Sequence, residues 1–176
     1  NGLPRPYHES VRAIAKEYNL DPNLLLAVMR VESVYQKRII SYAGALGLMQ
    51  IMPRTGTLIA RKMGADYFTT ADLLDPDTNI KFAAWYLASL LKRFDGALPL
   101  AIAAYNGGPH NVRKWLTLYS DTMPLDVFLE HIPFSQTHRY VRRVLTHYAE
   151  YRAQEGLSMV PLDTHLPKMK PSAVAF

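Results

Sequence analysis

The sequence predicts a mainly α, single-domain protein with at most a small β element. Three observations predict it. Apolar residues recur at helical spacing in one segment after another. Those segments are bounded by Pro, Gly, Asp, Ser and Thr at positions that start and stop helices. No stretch alternates apolar and polar residues for long enough to build a large sheet. The chain has 176 residues, of which 49% are hydrophobic and 20% charged. That is the length of one domain, with enough apolar material for a core and too much for global disorder. No repeat with a period of about 20–50 residues is present.

The first helix is predicted over Pro6 to Tyr18, where Val11, Ile14, Ala15 and Tyr18 line one face. Asp21 and Pro22 form an N-cap and first helical position, and the helix they open carries Leu24, Leu25, Val28, Met29 and Glu32. Residues 37–47 break the periodicity at Gly44 and Gly47. Pro53 starts a helix that stops near Gly64, and Thr70 caps a short turn over Ala71–Leu74. Asp77 or Thr78 opens a long apolar helix, Asn79 to Phe94, that Asp95-Gly96 ends. Pro99 to Tyr105 reads as a buried helix and Asn106-Gly107-Gly108-Pro109 as a turn into a helix toward Tyr119. Pro124 to Glu130 is a short helix. Ser135 caps the last long one, which reaches about Gln154 and stops at Gly156. Residues 157–176 contain Pro161, Pro167 and Pro171 without periodicity and read as a tail. The expected division is a domain over 1–156 and that tail, with short strands hidden in 37–50 or 65–70.

Several chemistries are absent from the sequence. With no cysteine there is no disulfide framework, no Cys-ligated metal and no thiol nucleophile. The six histidines, at 8, 110, 131, 138, 147 and 165, make no HExxH or related ligand spacing, so no metal and no cofactor are expected. There is no phosphate-cradling glycine loop and no nucleophile elbow. No apolar run approaches the roughly 18 residues of a membrane-spanning helix. The start, Asn-Gly-Leu-Pro-Arg-Pro, lacks both an initiator Met and a leader pattern and reads as an excised domain or processed chain. Lys and Arg total 20 against 15 Asp and Glu, giving a net charge of +5. The excess favours anionic partners, whether nucleic acid, lipid headgroups or glycan. The densest cluster, Arg139, Arg142 and Arg143, is too thin for a nucleic-acid interface, and none is expected.

One carboxylate stands out. Glu32 lies three residues after Met29 and seven after Leu25, which puts it on the apolar side of its helix. Two readings follow. Glu32 pairs with Arg30, Lys37 or Arg38 at the helix end, or it sits in apolar surroundings that raise its pKa and leave a proton to donate near neutral pH. Cleavage of a glycosidic bond needs such a donor.

The surroundings of Glu32 carry a resemblance. Glu32-Ser33, then Ser41-Tyr-Ala-Gly44-Ala-Leu-Gly47-Leu-Met-Gln50-Ile-Met52-Pro53-x-Thr55, then Ala103-Ala104-Tyr105-Asn106-Gly-Gly-Pro109 resemble the three motifs of the lytic transglycosylases. More narrowly they are similar to the soluble family 1 enzymes. Leu74-Asp-Pro76-x-Thr-Asn79-Ile fits too, as does Glu130-x-Ile-Pro133-Phe-Ser135 followed by Tyr140-Val. The match covers about residues 8–155. It implies a lysozyme-like fold and cleavage of the MurNAc–GlcNAc β-1,4 bond of peptidoglycan to a 1,6-anhydromuramoyl product.

By the same resemblance Glu32 is the acid and then the base, with no Asp nucleophile beside it. Ser41 stands near the substrate N-acetyl group, and Gln50 and Met52 flank the cleft. Tyr105 aims its hydroxyl at Glu32 or the glycan, beside Asn106. Glu130 contacts the stem-peptide amine, and Tyr140 is a cleft tyrosine. For each a packing, turn or surface role is the alternative. Family 1 chains tend to read Ser-Glu-Thr-Arg-Gly-Tyr-Val where this one reads Ser135-Gln136-Thr137-His138-Arg139-Tyr140-Val141. If the family's acid and Arg pair in support of Tyr140, the departure implies that this support is weakened here or replaced by Gln136–His138 bonding. The implied partner is peptidoglycan glycan with its stem peptides, in the periplasm or cell envelope of a bacterium. A monomer is expected, with room for further domains or a membrane anchor in the parent chain. Three rivals remain open: a goose-type lysozyme-like hydrolase, a glycan-binding module with a silent site, and a basic nucleic-acid-binding domain.

Overall fold

The computed structural model describes residues 2–119, 123–162 and 166–167. Its α-helices are α1 (His8–Glu17), α2 (Pro22–Ser33), α3 (Pro53–Met63), α4 (Pro76–Arg93), α5 (Leu98–Gly107), α6 (Pro109–Thr117), α7 (Leu125–Glu130) and α8 (Ser135–Gln154), with a 3₁₀ turn over Thr70–Leu74. Local chemistry sets most boundaries. The Asp21 carboxylate caps α2 by accepting the Asn23 N–H, and Pro22 fills the first position, where no amide partner exists anyway. Asp75 does the same for α4 through Thr78, with Pro76 following. Asp77 and Thr78 therefore lie inside the first turn rather than opening the helix. Thr69, not Thr70, caps the 3₁₀ turn, in a reciprocal box with Asp72. Ser135 is the first residue of α8 and Phe134 precedes it without a side-chain cap.

The core forms around two helices. α5 is buried along Pro99–Ala104, and α2 along Asn23–Met29. α5 packs against α4, α6 and α8, while α2 packs against α8 and α1. Two helices buried over most of their length need amphipathic ones around them, which is what α1, α3 and α6 supply. α5 reaches two residues beyond the predicted Tyr105, and α8 comes so close that a Cβ on Gly107 would lie 2.9 Å from the Thr137 hydroxyl. That close approach, rather than a turn, is what Gly107 serves.

Between α2 and α3 the chain makes the whole β content of the described residues. Ile40 bridges Leu46, and Leu46 bridges Ile51, both antiparallel. The segment 65–70 holds no bridge and leads into the 3₁₀ turn. At the other end, α8 stops before Gly156, whose φ of +71° is left-handed. Residues 157–162 are irregular, Met159 packs on the core and Leu166 is buried. The remainder of the predicted tail lies outside the described residues.

Candidate active site

Glu32 occupies the last turn of α2, whose end is held open by unusual backbone. Val34 (φ 49°) and Tyr35 (φ 66°) are both left-handed, a conformation that costs a β-branched residue most. Tyr35 is tied down by its hydroxyl, which meets the Tyr151 hydroxyl and accepts from Arg30 at 3.2 Å. Arg30 is thereby engaged by Tyr35. Among the described residues no Lys, Arg or His makes an ion pair with Glu32. The pairing with Arg30, Lys37 or Arg38 left open by the sequence is not formed.

Among the described residues the Glu32 carboxylate accepts a hydrogen bond from the Tyr140 hydroxyl of α8 at 2.7 Å. Burial raises its pKa from 4.5 to about 7, against the opposing effects of the Tyr140 hydrogen bond and the positive charge of Arg143. The carbonyl end of α2 works in the same direction as burial, because negative charge is disfavoured there. Tyr105 senses the same carboxylate. Burial, then the charge of Glu32, hold its phenol well above the ordinary value. Tyr140 behaves likewise and also senses Tyr105. Glu32, Tyr105 and Tyr140 thus come together from α2, α5 and α8.

The loop after α2 is fixed by a polar residue the sequence reading did not assign to the site. Asn79 is fully buried at the start of α4. Its carbonyl oxygen accepts the Met49 N–H at 2.7 Å, and its amide donates to Leu46 O at 2.9 Å and Leu73 O at 2.8 Å. The turn Gly47–Gln50 is folded over it, closed by the Gln50 N–H to Gly47 O bond at 3.1 Å. The Tyr105 hydroxyl donates to Met49 O at 2.7 Å, not to Glu32. The ring of Tyr105 leans on Tyr86, centroids 5.6 Å apart. The signal for Asn79 was present in the sequence: a polar residue on the stripe that Ala83 and Leu87 continue into the core.

The other predicted residues fall into two groups. Gln50 (φ 49°) spends its amide on Gly47 O at 2.9 Å and Ile39 O at 3.3 Å, so it braces the turn. Ser41 accepts the Ala45 N–H at 2.9 Å, while its own N–H donates to Ala45 O. The register set by Ile40, Leu46 and Ile51 places Ser41 and Met52 on either side of Ala45, and Met52 is 42% exposed. Asn106 accepts the Thr137 hydroxyl at 2.9 Å. Asn106 and Thr137, with Phe134, line a concavity of about 380 Å³, and Thr137 lies one helical turn along α8 from Tyr140.

Glu130 stands apart at the end of α7. It lies 3.2 Å from His138 and 4.0 Å from Arg142, both on α8. Of the two alternatives, Gln136–His138 bonding is not formed, because His138 faces Glu130 instead. Gln136 is exposed on the first turn of α8, whereas His138 is turned toward α7. Among the described residues no group of three His, Cys, Asp or Glu is placed to hold a metal ion. No helix there is long and apolar enough to cross a membrane.

A lone glutamate that keeps its proton near neutrality, gripped by a tyrosine on a helical frame, makes this a candidate acid–base centre built on one carboxylate. The sequence model of the family described as transglycosylase SLT domain matches residues 9–124, and the chain belongs to that family. It is 36% identical over 151 residues to a soluble lytic murein transglycosylase of Salmonella typhimurium, and 35% to that of Escherichia coli. Those matches cover 85% of this chain but only 23% of each relative, so the chain spans about a quarter of their length. The fold agrees with this kinship. The 70 kDa soluble lytic transglycosylase of Escherichia coli superimposes with a TM-score of 0.86 at 34% identity, over 91% of this chain and 26% of that one. An inactive mutant of a Pseudomonas aeruginosa lytic transglycosylase gives 0.85 at 34% identity over 93% of this chain and 27% of that one. The mainly helical, lysozyme-like fold expected from the sequence is the one observed.

Proposed function

We propose that this chain is the catalytic domain of a peptidoglycan lytic transglycosylase. It cuts the MurNAc–GlcNAc β-1,4 bond without water and leaves a 1,6-anhydromuramoyl end. The observation that carries the reading is the Glu32 carboxyl group, unpaired by any cation among the described residues, raised to a pKa of about 7 and aligned by the Tyr140 hydroxyl. Kinship with the soluble lytic murein transglycosylases supports the substrate and the bond.

Protonated Glu32 gives its proton to the glycosidic oxygen as the C1–O bond breaks. The neighbouring N-acetyl oxygen of the substrate bonds to C1 and carries the developing positive charge, the substrate-assisted alternative to a carboxylate nucleophile. Ionised Glu32 then removes the proton of the C6 hydroxyl, and that oxygen attacks C1 and displaces the N-acetyl oxygen. The acid is regenerated and nothing is consumed but the substrate. One group serves twice only if its pKa lies near the working pH, which burial arranges here. Tyr105 and Asn79 act through the Met49 turn as positioning residues. On this reading Ser41, Met52 and Asn106 meet the sugar, and Glu130 meets the stem-peptide amine. Residues 1–156 form the catalytic domain, working as a monomer in the periplasm or cell envelope.

Glu32→Gln keeps the shape and the Tyr140 contact and removes the transferable proton. Release of soluble fragments from purified sacculi is expected to fall by about 10³-fold or more, with sacculus binding retained. Undiminished release by the variant rejects the proposal.

A further inference from the structure

The far end of α2 carries a second feature that the acid–base chemistry does not use. Two adjoining concavities, of about 290 and 360 Å³, share Arg12 and Pro22 as walls. His8, Arg12 and Lys16 stand at i, i+4 and i+8 on α1, a spacing that puts all three on one stripe above these hollows. All three are exposed, and none has an ion-pair partner among the described residues. The acids nearby do not neutralise them. Glu9 makes no ion pair with Arg12, and Glu17 is held by Lys81 at 3.3 Å. Glu155 in the same hollow is held by Arg5 at 3.0 Å and accepts from Asn23. Arg5 is fully engaged, with further bonds to Asn23 and Tyr151 O, so it forms a fixed wall. What is left over is two permanent cations and a histidine beside a cavity. Pro22 and Glu32 are ten residues apart on α2, ~15 Å along its axis.

We infer that this basic groove is an anchoring site for carboxylate groups of stem peptides, on parts of the wall polymer remote from the bond being cut. The inference rests on the reading of the substrate given above. An acid–base centre meets one bond at a time, whereas its polymeric substrate repeats carboxylates along the strand. A row of free cations a helix length away from Glu32 holds the polymer while the site turns over. Arg presents a planar fork suited to carboxylate, and Lys a compact charge.

The test reads binding, not cleavage. In the Glu32→Gln background, Arg12→Gln with Lys16→Gln is expected to weaken co-sedimentation with purified sacculi by about tenfold. It is also expected to flatten the salt dependence of binding. Amidating the sacculus carboxyl groups is expected to lower binding of the parent chain to the same level. Equal binding of the two chains, or equal binding to amidated and native sacculi, overturns the inference. So does preferential binding of the parent chain to phosphatidylglycerol vesicles, lost in the double substitution, which assigns the groove to a lipid phosphate. If the wild-type chain releases nothing from sacculi but the binding difference holds, the catalytic reading fails and the anchor stands.

Discussion

A carboxyl group that titrates near neutrality leaves a mark on stability as well as on rate. Glu32 has a pKa of about 7 when folded against 4.5 when exposed, so the folded chain holds that proton more tightly than the unfolded one. Its contribution is intact below about pH 4.5 and is lost as pH rises through about 7. The full shift corresponds to about 3 kcal/mol, reduced to about 2 kcal/mol by the solvent that still reaches this half-buried group. Glu32→Gln removes the titration. Urea unfolding of the two chains is therefore expected to converge near pH 4 and to diverge by about 2 kcal/mol at pH 8.5, with the variant the more stable. A constant difference across that range contradicts the assignment. The same shift sets the direction of the activity profile. kcat/KM is expected to decline as pH rises through about 7, because the first step needs the protonated acid.

The site is an assembly of element ends, and its weakest joint is the turn between Gly47 and Gln50. Asn79 holds it by accepting the Met49 N–H and donating to Leu46 O, and ties it to Leu73 O, while a Cβ on Gly47 (φ +75°) would lie 2.5 Å from Leu73 O and 2.6 Å from the Asn79 amide. Backbone oxygen cannot move aside cheaply, and the left-handed backbone strains any side chain. Gly47→Ala is expected to cost about 2 kcal/mol or more in urea unfolding. Gly64→Ala, with nothing within 4 Å and the same hand of φ, isolates the backbone part of that cost and is expected to be milder. Equal costs contradict the clamp. This joint also marks where the sequence was legible. Gly44 and Gly47 announced a break, and the position of Glu32 on an apolar stripe was readable from spacing alone. The helix starts at Pro22 and Pro53 were equally plain, because Pro at the first position leaves little choice. What spacing could not reveal was partnership across the chain. Tyr105 reaches Met49 O rather than Glu32, Glu130 meets His138, and Asn79 grips a loop some thirty residues away. Such contacts depend on how helices cross, and no local pattern records that.

Across the whole molecule the net charge of +5 resolves into separate places with separate roles. Arg152 fastens the end of α8, and Arg5 the segment before α1, to the start of α2, through Asp21 and Asn23. Arg143 opposes the burial that raises the Glu32 pKa, and Arg12 and Lys16 make no ion pair among the described residues. The excess charge that favoured nucleic acid, lipid or glycan equally in the sequence is thus spread over a domain of the transglycosylase SLT family. The family resemblance fixed the order of motifs along the chain, while the structure gathers α2, α5 and α8 around one carboxyl group. Whether that group closes a sugar ring or activates water is decided by the products. The most direct measurement is mass spectrometry of the soluble muropeptides this chain releases from purified sacculi. The account predicts 1,6-anhydromuramoyl ends, one water lighter than reducing ends, from the first turnover onward. Reducing MurNAc ends as the primary product would contradict it and make the domain a hydrolase.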